Sequence, residues 1–101
     1  MSSPDLAALV PSWELALRAE RKAPQTIKSY AEGVRQYLRW CSDNDRPLAL
    51  DRHQLAGCVD SLLTSGLQAA TARSRQLGVR RFSAWLVEEQ EIPGDPLLGV
   101  K

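Results

Sequence analysis

The stretch TIKSYAEGVRQYLRW at residues 26–40 is matched by TARSRQLGVRRFSAW at residues 71–85, 45 positions further along the chain. Both stretches follow the pattern T-x-[K/R]-S-x3-G-V-R-x-[Y/F]-x2-W. The matched positions of the first copy are Thr26, Lys28, Ser29, Gly33, Val34, Arg35, Tyr37 and Trp40. Those of the second copy are Thr71, Arg73, Ser74, Gly78, Val79, Arg80, Phe82 and Trp85. This near-repeat indicates two helices that share one task.

The spacing of the repeat separates its residues into two helical faces. At about 100° per residue, the Val, Tyr/Phe and Trp positions of each copy fall along one broad side of an α-helix. The first basic residue and the Arg seven positions later fall on the opposite side. Because seven residues make about two turns, each helix presents two cations roughly 10 Å apart. We therefore predict an aromatic face turned into a core and a cationic face turned outward.

A second interpretation of the repeat stays open. Any two amphipathic helices of one bundle can converge on Val and aromatic residues inside and Arg outside, with no shared function. Core packing does not require the matched Thr-x-[Lys/Arg]-Ser beginnings of the two copies. Those beginnings favour a functional interpretation, which we adopt as the prediction.

The composition describes one small domain. A chain of 101 residues with 44% apolar residues can bury a modest core. There is no apolar run long enough to span a bilayer and no secretory leader, so we expect a cytoplasmic protein without a membrane partner. Cys41 and Cys58 are interpreted as small buried hydrophobes, and His53 as an exposed residue in the first turn of a helix. These three residues make no plausible metal set, so we expect no cofactor.

The charge of the chain is small overall but unevenly distributed. The net charge of +1 taken alone argues against a nucleic-acid partner. However, residues 21–40 and residues 69–87 each carry +4, whereas the remainder of the chain sums to −7. Such a dipolar domain presents one positive side to a polyanion, although merely solvated helix faces would give the same count.

Hydrophobic periodicity predicts four helices and no strand. Their expected ranges are about 5–21, 24–43, 52–65 and 69–90. Ser3 or Asp5 is a candidate cap for the first helix, which Pro11 should either kink or split because proline lacks an N–H and clashes with the preceding turn. Pro24 suits a first-turn position, and Gly66 suits the left-handed position that ends the third helix. Short loops between the helices indicate an all-α bundle.

The second and fourth helices resemble parts of the N-terminal core-binding domain of tyrosine recombinases, the phage-integrase family. In the second helix, the resemblance is carried by Thr26, Tyr30, Val34, Tyr37 and Trp40. In the last helix and its exit, it is carried by Thr71, Val79, Arg80, Arg81, Phe82, Trp85, Leu86, Ile92, Asp95 and Pro96. The resemblance covers about residues 6–100 and is spread over apolar and aromatic positions.

This resemblance implies a SAM-like bundle of four main helices. The full proteins of the family form a C-shaped clamp on duplex DNA, in which a larger C-terminal domain cuts with a Tyr nucleophile and Arg, His and Lys groups. None of that catalytic set maps here, because Tyr30 and Tyr37 lie on the predicted apolar face and His53 lacks the surrounding basic motif. We expect residues 1–101 to be a single core-binding domain, not an enzyme by itself, taken from a longer recombinase.

The resemblance also implies that the second and fourth helices lie at the major groove of DNA. The predicted DNA-binding residues are Thr26, Lys28, Ser29, Arg35, Thr71, Arg73, Ser74 and Arg80. Arg35 and Arg80 rest mainly on the helical spacing, and Arg73 on spacing and adjacency. Hydroxyls near helix starts suit phosphate, and cations neutralise phosphates. Gly33 and Gly78 are expected to permit close approach of a helix or of the DNA backbone, or to be merely tolerated.

The predicted function is sequence-directed binding of duplex DNA as the N-terminal half of a recombinase clamp, in DNA integration or recombination. The expected partners are double-stranded DNA, a C-terminal catalytic domain and neighbouring protomers of a tetramer on DNA. The alternative is a helical protein-interaction domain without DNA binding. Leu77, on the predicted outer face, and the tail residues Leu97, Leu98 and Val100 favour that alternative.

Overall fold

The computed structural model describes residues 5–101, and residues 1–4 lie outside the description. These described residues form four α-helices and no strand, which confirms the all-α prediction. The helices are α1 (Leu6–Ala19), α2 (Pro24–Asp43), α3 (Arg52–Thr64) and α4 (Ala69–Glu88). Each boundary falls within two residues of the one expected from periodicity and capping residues.

Aspartates begin both shorter helices. The Asp5 carboxylate accepts from the Ala8 N–H at 3.3 Å, and the Asp51 carboxylate accepts from the Gln54 N–H at 2.9 Å. These bonds satisfy one of the unpaired N–H groups at each helix start; the other candidate cap, Ser3, lies outside the described residues. Pro11 does not split α1, which is one continuous helix.

All four helices end in the same way. Each helix is followed by a residue in the left-handed backbone conformation. These residues are Arg21, Asp45, Gly66 and Gln90, with φ of 62°, 53°, 101° and 61° respectively. The following N–H reaches back to a carbonyl five residues earlier, as in the bond from Lys22 to Leu17. This is the Schellman arrangement, and it confirms the left-handed position predicted for Gly66.

The molecule consists of two equivalent helical hairpins. The helix α4 begins and ends 45 residues after α2, and α3 ends 45 residues after α1. The four left-handed residues also fall into two pairs with the same offset, 21 with 66 and 45 with 90. The sequence repeat in residues 26–40 and 71–85 is therefore part of a structural repeat that spans both hairpins.

The core lies where the two hairpins meet. Trp13 of α1 contacts Phe82 of α4, with ring centroids 5.1 Å apart, and stacks on Tyr30 of α2 at 6.0 Å. Cys41 and Cys58 are buried as free thiols, as predicted, and His53 is exposed in the first turn of α3. Besides Gly33 and Gly78, the buried residues among those described are Leu6, Val10, Trp13, Leu17, Ile27, Ala31, Val34, Tyr37, Leu38, Cys41, Leu55, Cys58, Ala72, Val79, Phe82, Ser83, Leu86 and Leu97.

The C-terminal segment after α4 is anchored to the core. The buried Ser83 hydroxyl donates to the Asp95 carboxylate at 2.5 Å, and the same oxygen accepts from the Leu97 N–H at 2.9 Å. Leu97 is buried and Val100 packs against the core cluster. These contacts hold the chain beside α4 after the helix ends.

Candidate nucleic-acid interface

Two glycines of the repeat bring α2 and α4 into direct backbone contact. A Cβ built on Gly33 would lie 2.6 Å from the Arg75 carbonyl oxygen, and one built on Gly78 would lie 2.8 Å from the Tyr30 carbonyl oxygen. Residue 78 is 33 plus 45, and residue 75 is 30 plus 45, so the two contacts are equivalent under the repeat. The helices are thus related by an approximate two-fold axis. The close approach predicted for these glycines is that of a helix.

The matched serines lie at the same contact. The hydroxyl oxygens of Ser29 and Ser74 are 3.0 Å apart, in a half-buried hydrogen bond across the approximate axis. The expectation that packing does not require the matched beginnings is therefore wrong for the serines, because they join α2 to α4. We call the contact formed by Ser29, Gly33, Ser74 and Gly78 the helix crossing.

Two of the predicted cations lie at the rim of the helix crossing. Lys28 and Arg73 are exposed, and each directly precedes one of the two bonded serines. Because the serines touch, the two cations start from backbone positions on either side of one contact between α2 and α4. Their side chains make no ion pair with a carboxylate among residues 5–101.

The two predicted threonines occupy equivalent positions at the helix starts. Thr26 and Thr71 are each the third residue of their helix, and both are half-buried. Neither α2 nor α4 has a side-chain cap at Ala23 or Gln68. The first-turn N–H groups therefore keep hydrogen-bonding capacity for an external acceptor.

The remaining two predicted cations, Arg35 and Arg80, lie beside different elements of the fold. The Arg35 guanidinium donates to the Glu14 carboxylate of α1 at 2.8 Å, with the Arg35 side chain 47% exposed. Arg80 is half-buried and lines a surface pocket together with Leu97 of the segment after α4. Helical spacing placed both on the outer faces of their helices, but the packing of α1 and of the C-terminal segment decides what lies next to each of them.

Leu77, on the outer face of α4, lies beside the C-terminal segment. It is half-buried and lines the same surface pocket as Leu97 and Leu98 of the C-terminal segment. The apolar side chain on the outer face of α4 therefore lies beside the anchored tail, which partly covers it. Leu98 itself is 76% exposed.

A basic groove between α1 and α2 contains cations that the repeat pattern did not identify. Its volume is about 550 Å³. Its charged residues are Glu14, Arg18, Arg21, Lys22, Lys28, Glu32 and Arg35. Arg18 lies outside both repeat copies, and Arg21 and Lys22 precede the first copy. The regional charge count of residues 21–40 included Arg21 and Lys22, whereas no sequence signal indicated Arg18.

Buried titratable groups serve packing in this fold. The Tyr37 hydroxyl donates to the Ala49 carbonyl at 2.6 Å and accepts from the Gln54 amide at 3.3 Å. Burial raises the pKa of Tyr37 above its ordinary range and also raises the pKa of the Cys41 thiol. A raised pKa keeps these groups protonated and weakly nucleophilic. Within residues 5–101, no three His, Cys, Asp or Glu side chains cluster as a metal site would require.

Two helical hairpins joined by a glycine-lined crossing define a class of small all-α domain that comparison with known families identifies. The family model of the phage integrase N-terminal SAM-like domain matches residues 10–90. Since that is most of the chain, the protein belongs to this family. The matched domain is not the catalytic domain of tyrosine recombinases.

One curated relative is similar along most of the chain. The tyrosine recombinase XerD of Oceanobacillus iheyensis is 29% identical in an alignment of 89 residues that covers 84% of this chain and 30% of that recombinase. The chain therefore spans less than a third of the length of this relative. No solved structure matches significantly. Among the described residues, no helix has both the length and the apolar character needed to cross a membrane.

Proposed function

We propose that this domain binds duplex DNA in a sequence-directed manner, as the N-terminal half of the clamp of a site-specific tyrosine recombinase. The process served would be DNA integration or recombination, and the location would be the cytoplasm. Membership of the phage-integrase N-terminal family and the similarity to XerD support the recombinase context.

One observation carries the proposal. Lys28 and Arg73 occupy equivalent positions of α2 and α4 and flank a single helix crossing. A surface with an exposed cation from each of two crossed helices suits a polyanion that runs past both, since each cation can neutralise a different phosphate. Core packing alone does not require an exposed cation at both positions.

The predicted residues divide into two kinds of role in this proposal. Phosphate contacts fix the position of a protein on DNA, whereas contacts to base edges select the sequence. Thr26 and Thr71, beside uncapped helix starts, suit phosphate oxygens. Lys28 and Arg73, being exposed and long, can reach phosphates or donate to guanine in the major groove. Ser29 and Ser74 support the crossing and reach DNA only at its rim.

Arg35 and Arg80 contribute through charge in the proposed complex. Arg35 is paired with Glu14 and would have to share or exchange that partner to bind a phosphate. Arg80 emerges beside the C-terminal segment. In the longer protein, the proposed partners are a C-terminal catalytic domain on the opposite side of the DNA and neighbouring protomers of a tetramer.

Alanine variants of the two crossing cations test the proposal. We expect Lys28→Ala and Arg73→Ala each to weaken binding to a duplex by about tenfold, or about 1.4 kcal/mol. Each variant should lower the slope of log affinity against log salt by about 0.9 for every lost phosphate contact. Fluorescence anisotropy with a labelled duplex across a salt series would measure both quantities.

Arg52→Ala is the matched control, because Arg52 is exposed on α3 and loses the same single charge. Its affinity and salt slope should stay close to those of the unaltered protein. Thermal unfolding of all three variants should coincide, since none of the altered side chains is buried. Equal effects of Lys28→Ala and Arg52→Ala would contradict a face at the helix crossing.

A helical protein-interaction domain is the second candidate function. It is favoured by an apolar groove of about 510 Å³ lined by Leu6, Leu48, Leu50, Ile92 and Pro93 among others, in which Leu48 is 51% exposed. Light scattering with and without duplex separates the candidates. An oligomer that forms without DNA and shows no shift on its addition would support interaction alone.

A further inference from the structure

The basic groove between α1 and α2 holds more positive charge than its acids can neutralise. Both of its carboxylates are already engaged: Glu14 pairs with Arg35 at 2.8 Å, and Glu32 pairs with Arg75 of α4 at 3.2 Å. The other groove cations are Arg18, Arg21, Lys22 and Lys28. Among residues 5–101, no carboxylate lies within ion-pair distance of any of these four. Like charges placed close together destabilise a fold unless an anion offsets them.

The second hairpin shows that the turn forms without these cations. Arg18, Arg21 and Lys22 of the first hairpin correspond to residues 63, 66 and 67 of the second, which are Leu, Gly and Leu. Both hairpins form the same turn and the same left-handed end. The positive charge is therefore specific to the first hairpin, and the conformation of the turn does not explain it.

The shape and chemistry of the groove indicate its ligand. Arg and Lys side chains bind phosphate, Arg by paired N–H donors and Lys as a point charge. The groove is open along one side and its volume of about 550 Å³ exceeds the space that a single phosphate ion fills. An open channel lined by several cations suits a chain of phosphates better than an enclosed small molecule, which is usually bound in a mostly apolar pocket.

We propose that the basic groove binds phosphate groups, and that its main source of them is the backbone of the bound DNA. The DNA-contacting surface then extends from the helix crossing, through Lys28, into the groove beside α1. Lys28 belongs to both surfaces, which makes them continuous. This inference rests on the proposed function for its ligand, whereas the phosphate chemistry of the groove stands independently of it.

The test uses a groove variant and a control with the same change of charge. Arg18→Gln combined with Lys22→Gln removes two groove cations. Arg46→Gln combined with Arg52→Gln removes two exposed cations outside the groove. We expect the groove variant to lower the salt slope of duplex binding by about 1 to 2, since each lost phosphate contact removes about 0.9. The control should leave the slope unchanged.

A titration with inorganic phosphate, followed by amide NMR signals, separates the two sources of phosphate. We expect shifts at Arg21 and Lys22 in the unaltered protein that are lost in the groove variant. Shifts with phosphate but an unchanged salt slope would support a groove for free phosphate rather than for DNA. If phosphate causes no shifts and the groove variant leaves the salt slope unchanged, the inference is overturned. A protein that binds no duplex, yet shows the shifts, would refute the proposed function and leave the groove intact.

Discussion

Gly33 and Gly78 decide how close α2 and α4 come. At each position the partner backbone occupies the space of a Cβ, with the nearest backbone atoms at 2.6 and 2.8 Å. Backbone atoms cannot turn aside as a flexible side chain can, so a methyl group there forces the helices apart. The small residues of the repeat thus bring together the elements that carry the proposed DNA-binding cations.

Gly33→Ala should destabilise the protein by about 2 kcal/mol. Overpacking costs about 1–3 kcal/mol, and the upper end is expected here because the atoms nearest to the added Cβ are backbone atoms of Arg75. Replacing Gly by Ala within a helix offsets about 1 kcal/mol of that cost. Urea denaturation would measure the change. Gly94→Ala is the control, since a Cβ there meets nothing within 4 Å, and its effect should stay within about 0.5 kcal/mol. Equal stability of the two variants would disprove the tight crossing.

The sequence indicated the importance of these glycines but not what approaches them. A helical period assigns residues to faces of one helix, and it contains no information about the angle at which two helices cross. The pairing of Ser29 with Ser74 depends on that angle and was therefore not predictable from spacing. The same limitation explains Arg35 and Arg80. They occupy equivalent outward positions on α2 and α4, yet they lie beside different elements.

The four helices were predictable because their ends carry strong local signals. Asp51 caps α3, Pro24 occupies the first turn of α2, and Gly66 takes the left-handed position after α3. Each signal acts within a few residues and needs no tertiary contact. The effect of Pro11 was not predictable in the same way: Val10 and Trp13 on either side of it are buried, and that packing holds α1 together.

The return of the C-terminal segment onto α4 is an element-scale feature that sequence patterns left open. Ser83→Ala should destabilise the protein by about 1–2 kcal/mol, because it removes a buried donor to the Asp95 carboxylate. It should also speed amide exchange at Leu97, whose N–H bonds to the same oxygen. Hydrogen exchange followed by NMR would detect this. Ser61→Ala, at an exposed position of α3, should change neither quantity, and unaltered exchange at Leu97 in Ser83→Ala would contradict the anchor.

At the scale of the whole molecule, two buried thiols and a buried phenol should make the free energy of unfolding depend on pH in the alkaline range. Burial raises the pKa of the Cys58 thiol from 9.0 to about 11, and it also raises the pKa of Cys41 and Tyr37. A group with a raised pKa in the folded state loses its proton more readily when unfolded. Its contribution to stability is therefore complete below about pH 9 and is lost as the pH rises towards 11.

We accordingly expect the free energy of unfolding to fall between pH 8 and pH 10.5, as measured by urea denaturation. In Cys58→Ala, the loss over the same interval should be smaller than in the unaltered protein, because one of the three groups no longer titrates. The difference between the two pH values is the quantity to compare, since the substitution itself lowers stability at both. An identical loss in the two proteins would show that Cys58 is not responsible.

The doubled hairpin also has a consequence for how this protein can change over evolutionary time. The helices α2 and α4 and the left-handed residues that follow the helices have counterparts 45 positions apart, as residues 21 and 66 show with Arg and Gly. One half can therefore preserve the architecture while the other accumulates new surface chemistry. The contrast between a cationic first turn and an apolar second turn is the outcome expected of such divergence, and swapping the two turns between halves would transfer the chemistry without redesigning the scaffold.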